Sequence, residues 1–213
     1  ADAFYKKCIL VERGSFRPIT KVTLDMLRCA QAQFVQEPKV QGEEVLTLME
    51  MTLKNLTEGD KIDHQDFLDR VDILGALGKT VLISDFGEYY RLAAYFFRYT
   101  KKMIGVAMGV PSLQEIFDEK YYAKLQGGIL ESFGRMFKND LKLYVYPLLE
   151  VKNGSLISAT NLRVAPNLRH LHAYLVENRF IEGLRDYDEK CLPVFSRDVL
   201  EKIRSNDKSW EEA

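Results

Sequence analysis

Ser84 and Asp85 end a short, β-branched apolar run, Thr80-Val81-Leu82-Ile83. A polar pair in that position matters because open parallel sheets receive ligands outside the carboxyl ends of their strands, near the point where strand order reverses. Asp85 could there orient a ribose hydroxyl, hold Mg²⁺ or act as a base. Aspartate is also a good N-cap for the helix that follows, and this plainer reading carries more weight. Glu50 and Thr52 follow the apolar run Val45-Leu46-Thr47-Leu48-Met49. If that run is a strand, both residues reach the same crevice. Glu50 and Asp85 would then form a carboxylate pair able to hold a metal or to divide acid and base roles. If residues 43–56 are helical, the pairing is lost.

Glu88 and Arg91 lie three and six residues beyond Asp85, a spacing that puts all three on nearly one side of a helix. Arg91 could grip a phosphate or carboxylate with two parallel bonds. A surface ion pair with Glu88, worth less than ~1 kcal/mol, is the stronger alternative. Gly127-Gly128 precedes a helix, so its backbone N–H groups could receive an anion; a glycine pair also serves as a plain interhelical loop. Gly105 and Gly109 fit either close approach of a ligand or close packing of a helix on a strand. Neither G-x-G-x-x-G nor G-x-x-x-x-G-K-[ST] occurs, so no glycine motif fixes a phosphate site.

The other chemically capable residues read more plainly. Arg13 and Arg17, in the connector Glu12–Pro18, are expected as solvated loop arginines, with contact to an anion the lesser reading. His170 and His172 form an H-x-H pair. On a helix their rings point roughly 200° apart, a poor chelate, so no zinc site is expected, and His64 stands alone. Cys8, Cys29 and Cys191 are odd in number and far apart, as in a reduced cytoplasmic protein. Cys29 is expected in the core.

The elements that must position these groups follow from periodicity. Residues 1–12 read as a short helix broken by Gly14–Pro18. Val22, Met26, Ala30 and Phe34 give one face of a helix over 20–34. The segment 43–56 fits helix or strand, with strand slightly favoured. Asp63 opens a helix with apolar Phe67, Leu68, Val71, Leu74 and Leu77, closed by Gly78. Then come a buried parallel strand at 80–84, an aromatic-rich helix at 86–99 and a strand at 103–108. A helix with Ser112 and Glu115 as capping box follows, then a helix at 129–137 and a strand at 141–149. The aromatic helix is expected to pack in the core, with a dimer face as second choice.

Such alternation predicts an α/β fold. The arrangement is a mostly parallel sheet of about four strands flanked by helices, three-layered and Rossmann-like, with a helical C-terminal extension. The divisions are an N-terminal helical segment (1–42), the α/β core (43–149), and a hairpin and helices packed on the core (150–213). The hairpin is marked by Asn153-Gly154.

The segment from Val81 to Pro147, with SDFGEYYRLAAYFFRYTKKMIGVAMGV and GGILESFGRMFKNDLKLYVYP, resembles a group of bacterial proteins loosely labelled nicotinate mononucleotide adenylyltransferases. The resemblance covers about a third of the chain and implies nucleotide chemistry. Adenylyltransferases of that superfamily use H-x-G-H, which this sequence lacks.

The formal net charge of −1, from 30 basic and 31 acidic residues in 213, gives no global field toward nucleic acid or anionic lipid. With no apolar run of transmembrane length and no signal-peptide pattern, neither nucleic acid nor membrane is an expected partner. The chain starts without Met and stops in a helical segment, as a piece of a longer protein would. The functional expectation is binding of a nucleotide or phosphorylated metabolite at the strand ends, by a transferase or hydrolase fragment with Mg²⁺ as the candidate cofactor. Asp85 and Glu50 would be catalytic, and Ser84, Glu88, Arg91, Gly109, Gly127 and Gly128 ligand-binding. The alternative is a non-catalytic interaction module or homo-oligomer assembly module.

Overall fold

The computed structural model describes residues 2–53, 57–58, 61–62 and 64–212. Its centre is the chain's first apolar run. Cys8–Arg13 forms strand β1, where a short helix is expected from the sequence. Cys8, Ile9, Leu10 and Val11 are all fully buried. A continuous β-branched and apolar run of that length fits a strand covered on both faces, which shows no alternation. Helix α1 (Lys21–Phe34) follows, then β2 (Val45–Thr52), which makes residues 45–52 of the ambiguous segment a strand; residues 54–56 lie outside the described residues.

A small antiparallel pair, β3 (Thr57–Glu58) with β4 (Lys61–Ile62), leads to α2 (His64–Ala76). The expected N-cap of α2, Asp63, lies outside the described residues. Gly78, at φ +68, ends the helical turn in the left-handed conformation that favours glycine.

The chain continues through β5 (Val81–Ser84), α3 (Tyr89–Phe96), β6 (Ile104–Gly109), α4 (Val110–Ile116), α5 (Gly128–Met136) and β7 (Leu141–Tyr146). The last third holds the hairpin β8 (Leu148–Leu149) and β9 (Leu156–Ile157), then α6 (Arg169–Glu177), β10 (Ile181–Gly183) and α7 (Ser196–Arg204). The hairpin joins across residues 150–155, longer than a two-residue turn, with Gly154 at φ +68.

One sheet of six strands runs β10-β7-β6-β1-β2-β5, and every neighbouring pair is parallel. It has two strands more than expected, because β1 and β10 join it. The section after residue 150 therefore contributes an edge strand. Counted in chain order, the six strands lie 3-2-1-4-5-6 from one edge to the other. This is the doubly wound order of Rossmann folds, with its reversal between first and fourth strands, here β1 and β6.

Helices cover both faces. On one, Ile9, Val11, Ile104, Val106, Leu143 and Val145 pack with α3, α4, α5 and α6. On the other, Cys8, Leu10 and Ala107 meet Cys29, Ala30 and Phe34 of α1, while Met49 and Met51 meet Leu74 of α2. Gly105 serves this packing: a Cβ there would come within 2.9 Å of the Phe34 ring. Helix packing on the strand therefore accounts for this glycine. The aromatic helix also packs on the core, with Leu92, Ala93 and Phe96 buried and Phe86, Tyr89, Tyr90 and Tyr95 packed against them. By contrast β5, read as a buried strand, is an edge strand with Ile83 45 % exposed. No helix among the described residues is long and apolar enough to cross a membrane.

Candidate functional site

At the carboxyl edge of the sheet, Arg13 and Glu50 are register partners on β1 and β2. The Arg13 Nε donates to Glu50 Oε2 at 2.5 Å, and Nη2 to Oε1 at 3.0 Å. Nη1 donates to the Gly87 carbonyl at 2.9 Å, and the guanidinium lies 4.6 Å from the centre of the Tyr89 ring. Ser84 adds a hydroxyl bond to Glu50 and accepts the Phe86 N–H. Both charged side chains are almost wholly inside, Arg13 6 % and Glu50 0 % exposed. A planar guanidinium matched to a carboxylate in this way is the strong form of ion pair. Here it ties the ends of β1 and β2 to the loop that starts α3.

This corrects two expectations. Arg13 is a buried structural cation, because the strand extends through it and its register partner is acidic. Glu50 is sealed under Arg13 and Ser84 as the anchor of that cation. Asp85 is exposed. It does not cap α3, which starts at Tyr89 with Glu88 as its capping position and no side-chain bond there. The proposed Glu50–Asp85 pair is not assembled in the cleft, since neither residue lines it.

The cleft itself has a volume of about 440 Å³, within the range of small-molecule sites. Its floor is Arg13, Gly14 and Ser15 after β1 and Thr52 at the end of β2. One wall is Gly87, Glu88 and Tyr89; the other is Ser112, Glu115 and Ile116 of α4, with Tyr121 and Tyr122 beyond. It therefore opens where β1 and β6 part, at the reversal of strand order. The β1–α1 loop is held from behind by Arg70, whose Nη1 donates to the Ser15 carbonyl at 3.0 Å. Arg17, expected to be solvated, pairs with Asp66 at 3.0 Å.

Ser112 and Glu115 reach the cleft because α4 begins three residues earlier than a capping box would require. Gly109 is its N-cap and Pro111 lies in its first turn, a position where a missing N–H costs nothing. Ser112 and Glu115 are thus inside the helix, on its cleft side. Burial pushes the Tyr89 phenol up, against the opposing charge of Arg13 and a hydrogen bond with Ser112. Burial also pushes Tyr122 up to about 12, and its hydroxyl donates to the Ile116 carbonyl at 2.8 Å. Both phenols stay protonated at neutral pH.

No protein-family model matches the chain, and no curated protein matches it. The site therefore has to be read from its own chemistry.

Of the other expected ligand-binding residues, only Glu88 lines the cleft. It lies 3.5 Å from Arg91, the surface pair favoured from the spacing, and Arg91 itself faces a neighbouring groove. Ser84 is buried beneath the cleft on Glu50. Gly127 and Gly128 start α5, but the Gly127 N–H is taken by Glu131 Oε2 at 2.8 Å. That helix start thus carries its own carboxylate. His172 is buried with its Nε2 2.9 Å from the Ala159 carbonyl, and His170 is exposed, so the H-x-H pair shares no site.

Among the described residues Arg13 is the only cation lining the cleft, and Glu50 neutralises it. Glu88 and Glu115 leave the walls acidic. Such a cleft can accept hydrogen bonds from hydroxyls and amines and offer hydroxyls of its own. Among the described residues no group of three or more His, Cys, Asp or Glu side chains is arranged to hold a metal ion. Glu88 and Glu115 are the two carboxylates that could share one with a bound ligand.

Proposed function

We propose that the protein binds a nucleotide or phosphorylated metabolite in this cleft. The carrying observation is position: the cleft lies outside the carboxyl ends of the strands, at the reversal of order between β1 and β6, where doubly wound sheets take their ligands. Its chemistry suits the sugar portion of such a ligand. Glu88 and Glu115 can accept from a vicinal diol, Ser112 and Ser15 can donate, and Tyr121 offers a ring face. Of the five N–H groups of a guanidinium, three of Arg13 are engaged in the bonds above. The remaining two can meet a ligand oxygen at the floor. Mg²⁺ commonly binds through one or two carboxylates together with ligand phosphates, a role that fits Glu88 and Glu115. The resemblance of Val81–Pro147 to the nucleotide-linked group points the same way.

The test is a thermal-shift series with nucleoside mono- and diphosphates, sugar phosphates and Mg²⁺, followed by calorimetry on any hit. A ligand at a hundredfold excess over Kd stabilises the native state by about 2.7 kcal/mol. A shift that Glu115→Gln reduces supports the reading. No shift with any of these compounds overturns it.

A second reading, an assembly module, draws on a different place. The edge strand β5 exposes Ile83, and α2 beside it exposes Leu68 and Ile73, with Leu77 exposed just past its end. An open sheet edge next to apolar side chains is a surface on which a further copy could pair. Sedimentation equilibrium over a wide concentration range decides it; a monomer throughout rules it out.

A further inference from the structure

A second hollow, of about 390 Å³, lies between α3 and α5. Arg91, Arg98, Arg135 and Lys138 line it, and among the described residues no carboxylate does. In a chain whose formal net charge is −1, four cations around one groove are a local concentration. Two are partly balanced from outside it, Arg91 by Glu88 at 3.5 Å and Arg135 by Glu131 at 2.5 Å. Arg98 and Lys138 are exposed and form no ion pair among the described residues.

The same groove presents ring faces. Phe86, Tyr90 and Tyr95 line it, with Phe86 and Tyr95 centroids 5.2 Å apart. Arg91 lies 5.9 Å from the Phe86 centroid and Arg135 5.9 Å from that of Tyr90. Exposed Ala94 also lines the groove, where its small side chain leaves room for a ligand. Cations beside aromatic faces suit a ligand that joins a flat π-system to negative charge: the ring stacks while guanidinium and ammonium groups take the anion.

We infer that the α3–α5 groove is a second ligand site, for a free nucleotide carrying at least two phosphates. The base lies on the Tyr90, Tyr95 and Phe86 side, and the phosphates meet Arg98 and Lys138. The volume favours a single nucleotide over a strand, since it is at the lower end of the range for small-molecule pockets. This site is separate from the cleft at the sheet edge. The Glu88–Arg91 pair and the contact of Tyr90 with Tyr122, centroids 6.3 Å apart, stand between the two. The cleft is acidic with Arg13 neutralised by Glu50, whereas the groove is basic, so the groove's assignment does not depend on the cleft's.

The test is isothermal titration of the protein at low salt with adenosine diphosphate, pyrophosphate, adenosine and a ten-nucleotide single strand. It is repeated with Arg98→Glu/Lys138→Glu, with the milder Arg98→Gln/Lys138→Gln, and with Glu115→Gln in the cleft. Both pairs of substitutions are at exposed positions, and circular dichroism confirms that each variant is folded. Adenosine diphosphate is expected to bind at least tenfold more weakly to both groove variants and unchanged at this site to Glu115→Gln. Pyrophosphate should bind more weakly than the nucleotide, and adenosine negligibly. The nucleotide affinity should fall as salt rises. Nucleotide affinity unchanged in the charge-reversal variant overturns the proposal. So does pyrophosphate binding as tightly as the nucleotide, or a strand that binds where the free nucleotide does not.

Discussion

The guanidinium of Arg13 and the carboxylate of Glu50, register partners on adjacent parallel strands, close two hydrogen bonds beneath the cleft. Removing one member of such a buried pair strands the other charge, at a cost of about 3–5 kcal/mol, whereas replacing both with apolar side chains is often neutral. Glu50→Ala is therefore expected to lower the urea midpoint strongly, and Arg13→Met/Glu50→Leu to regain much of the loss. A double variant as unstable as the sum of both single variants would show that the two residues do not act as a pair.

Glu12 gives a pH-dependent stability of unusual sign. Burial pushes its carboxyl well above its ordinary value of 4.5, with Lys79 opposing, and its Oε2 has no hydrogen-bond partner among the described residues. Above that ordinary value the unfolded chain has released a proton that the folded chain keeps. Stability therefore falls as pH rises, by up to about 1.4 kcal/mol per pH unit, until the folded group ionises too. Glu12→Gln removes the titration, so its stability relative to the parent should grow between pH 4.5 and 8. Urea unfolding at several pH values checks this; a difference constant across the range refutes it.

Asp25 behaves in the opposite sense. Burial alone would raise it, but the Asp188 N–H at 2.9 Å, Arg28 at 3.0 Å and the Tyr146 hydroxyl at 2.8 Å hold it below its ordinary value. The stability it contributes is full above about the unfolded value of 3.8 and is lost as pH falls through the lower folded value. Asp25→Asn should cost about 1–3 kcal/mol at pH 7, and the deficit should shrink in acid. A deficit equal at pH 7 and pH 3 would mean that charge plays no part in this network.

The thiols should be inert in the native protein. Cys8, Cys29 and Cys191 are all buried, and burial with the nearby Asp25 charge pushes Cys29 up to about 11. The reactive species is the thiolate, so alkylation at pH 8 should be much slower than for a free thiol until urea exposes all three. Rapid modification of any one in the native protein contradicts this burial.

Asp85 and Glu115 separate the site expected from the strand end from the one the fold builds. Asp85 is exposed and outside the cleft, whereas Glu115 lines it. For a ligand of the cleft, Asp85→Ala should leave its affinity unchanged and Glu115→Gln should weaken it by tenfold or more. The reverse result, measured by calorimetry, would return the site to the end of β5.

By itself the sequence determined the elements whose signals are local. Helix α1 follows from apolar spacing, the end of α2 from Gly78, and β6 and β7 from apolar runs of strand length. The α/β class came from the alternation of these elements. The pairing of Glu88 with Arg91 was also legible, because three residues on one helix turn need no tertiary knowledge. Tertiary structure decided the rest. Cys8–Val11 fits a strand covered on both faces by its apolar run, but its place at the centre of the sheet was set by the pairing of β1 with β2 and β6. Arg13 turned inward because β2 places Glu50 beside it, and that register exists only once the strands pair. Ser112 and Glu115 entered the cleft when α4 began at Val110, so that two residues suited to a cap became its wall. Charge balance in cleft and groove followed the same rule: the partners that neutralise Arg13 or leave Arg98 exposed are distant in sequence or absent, and only packing sets which.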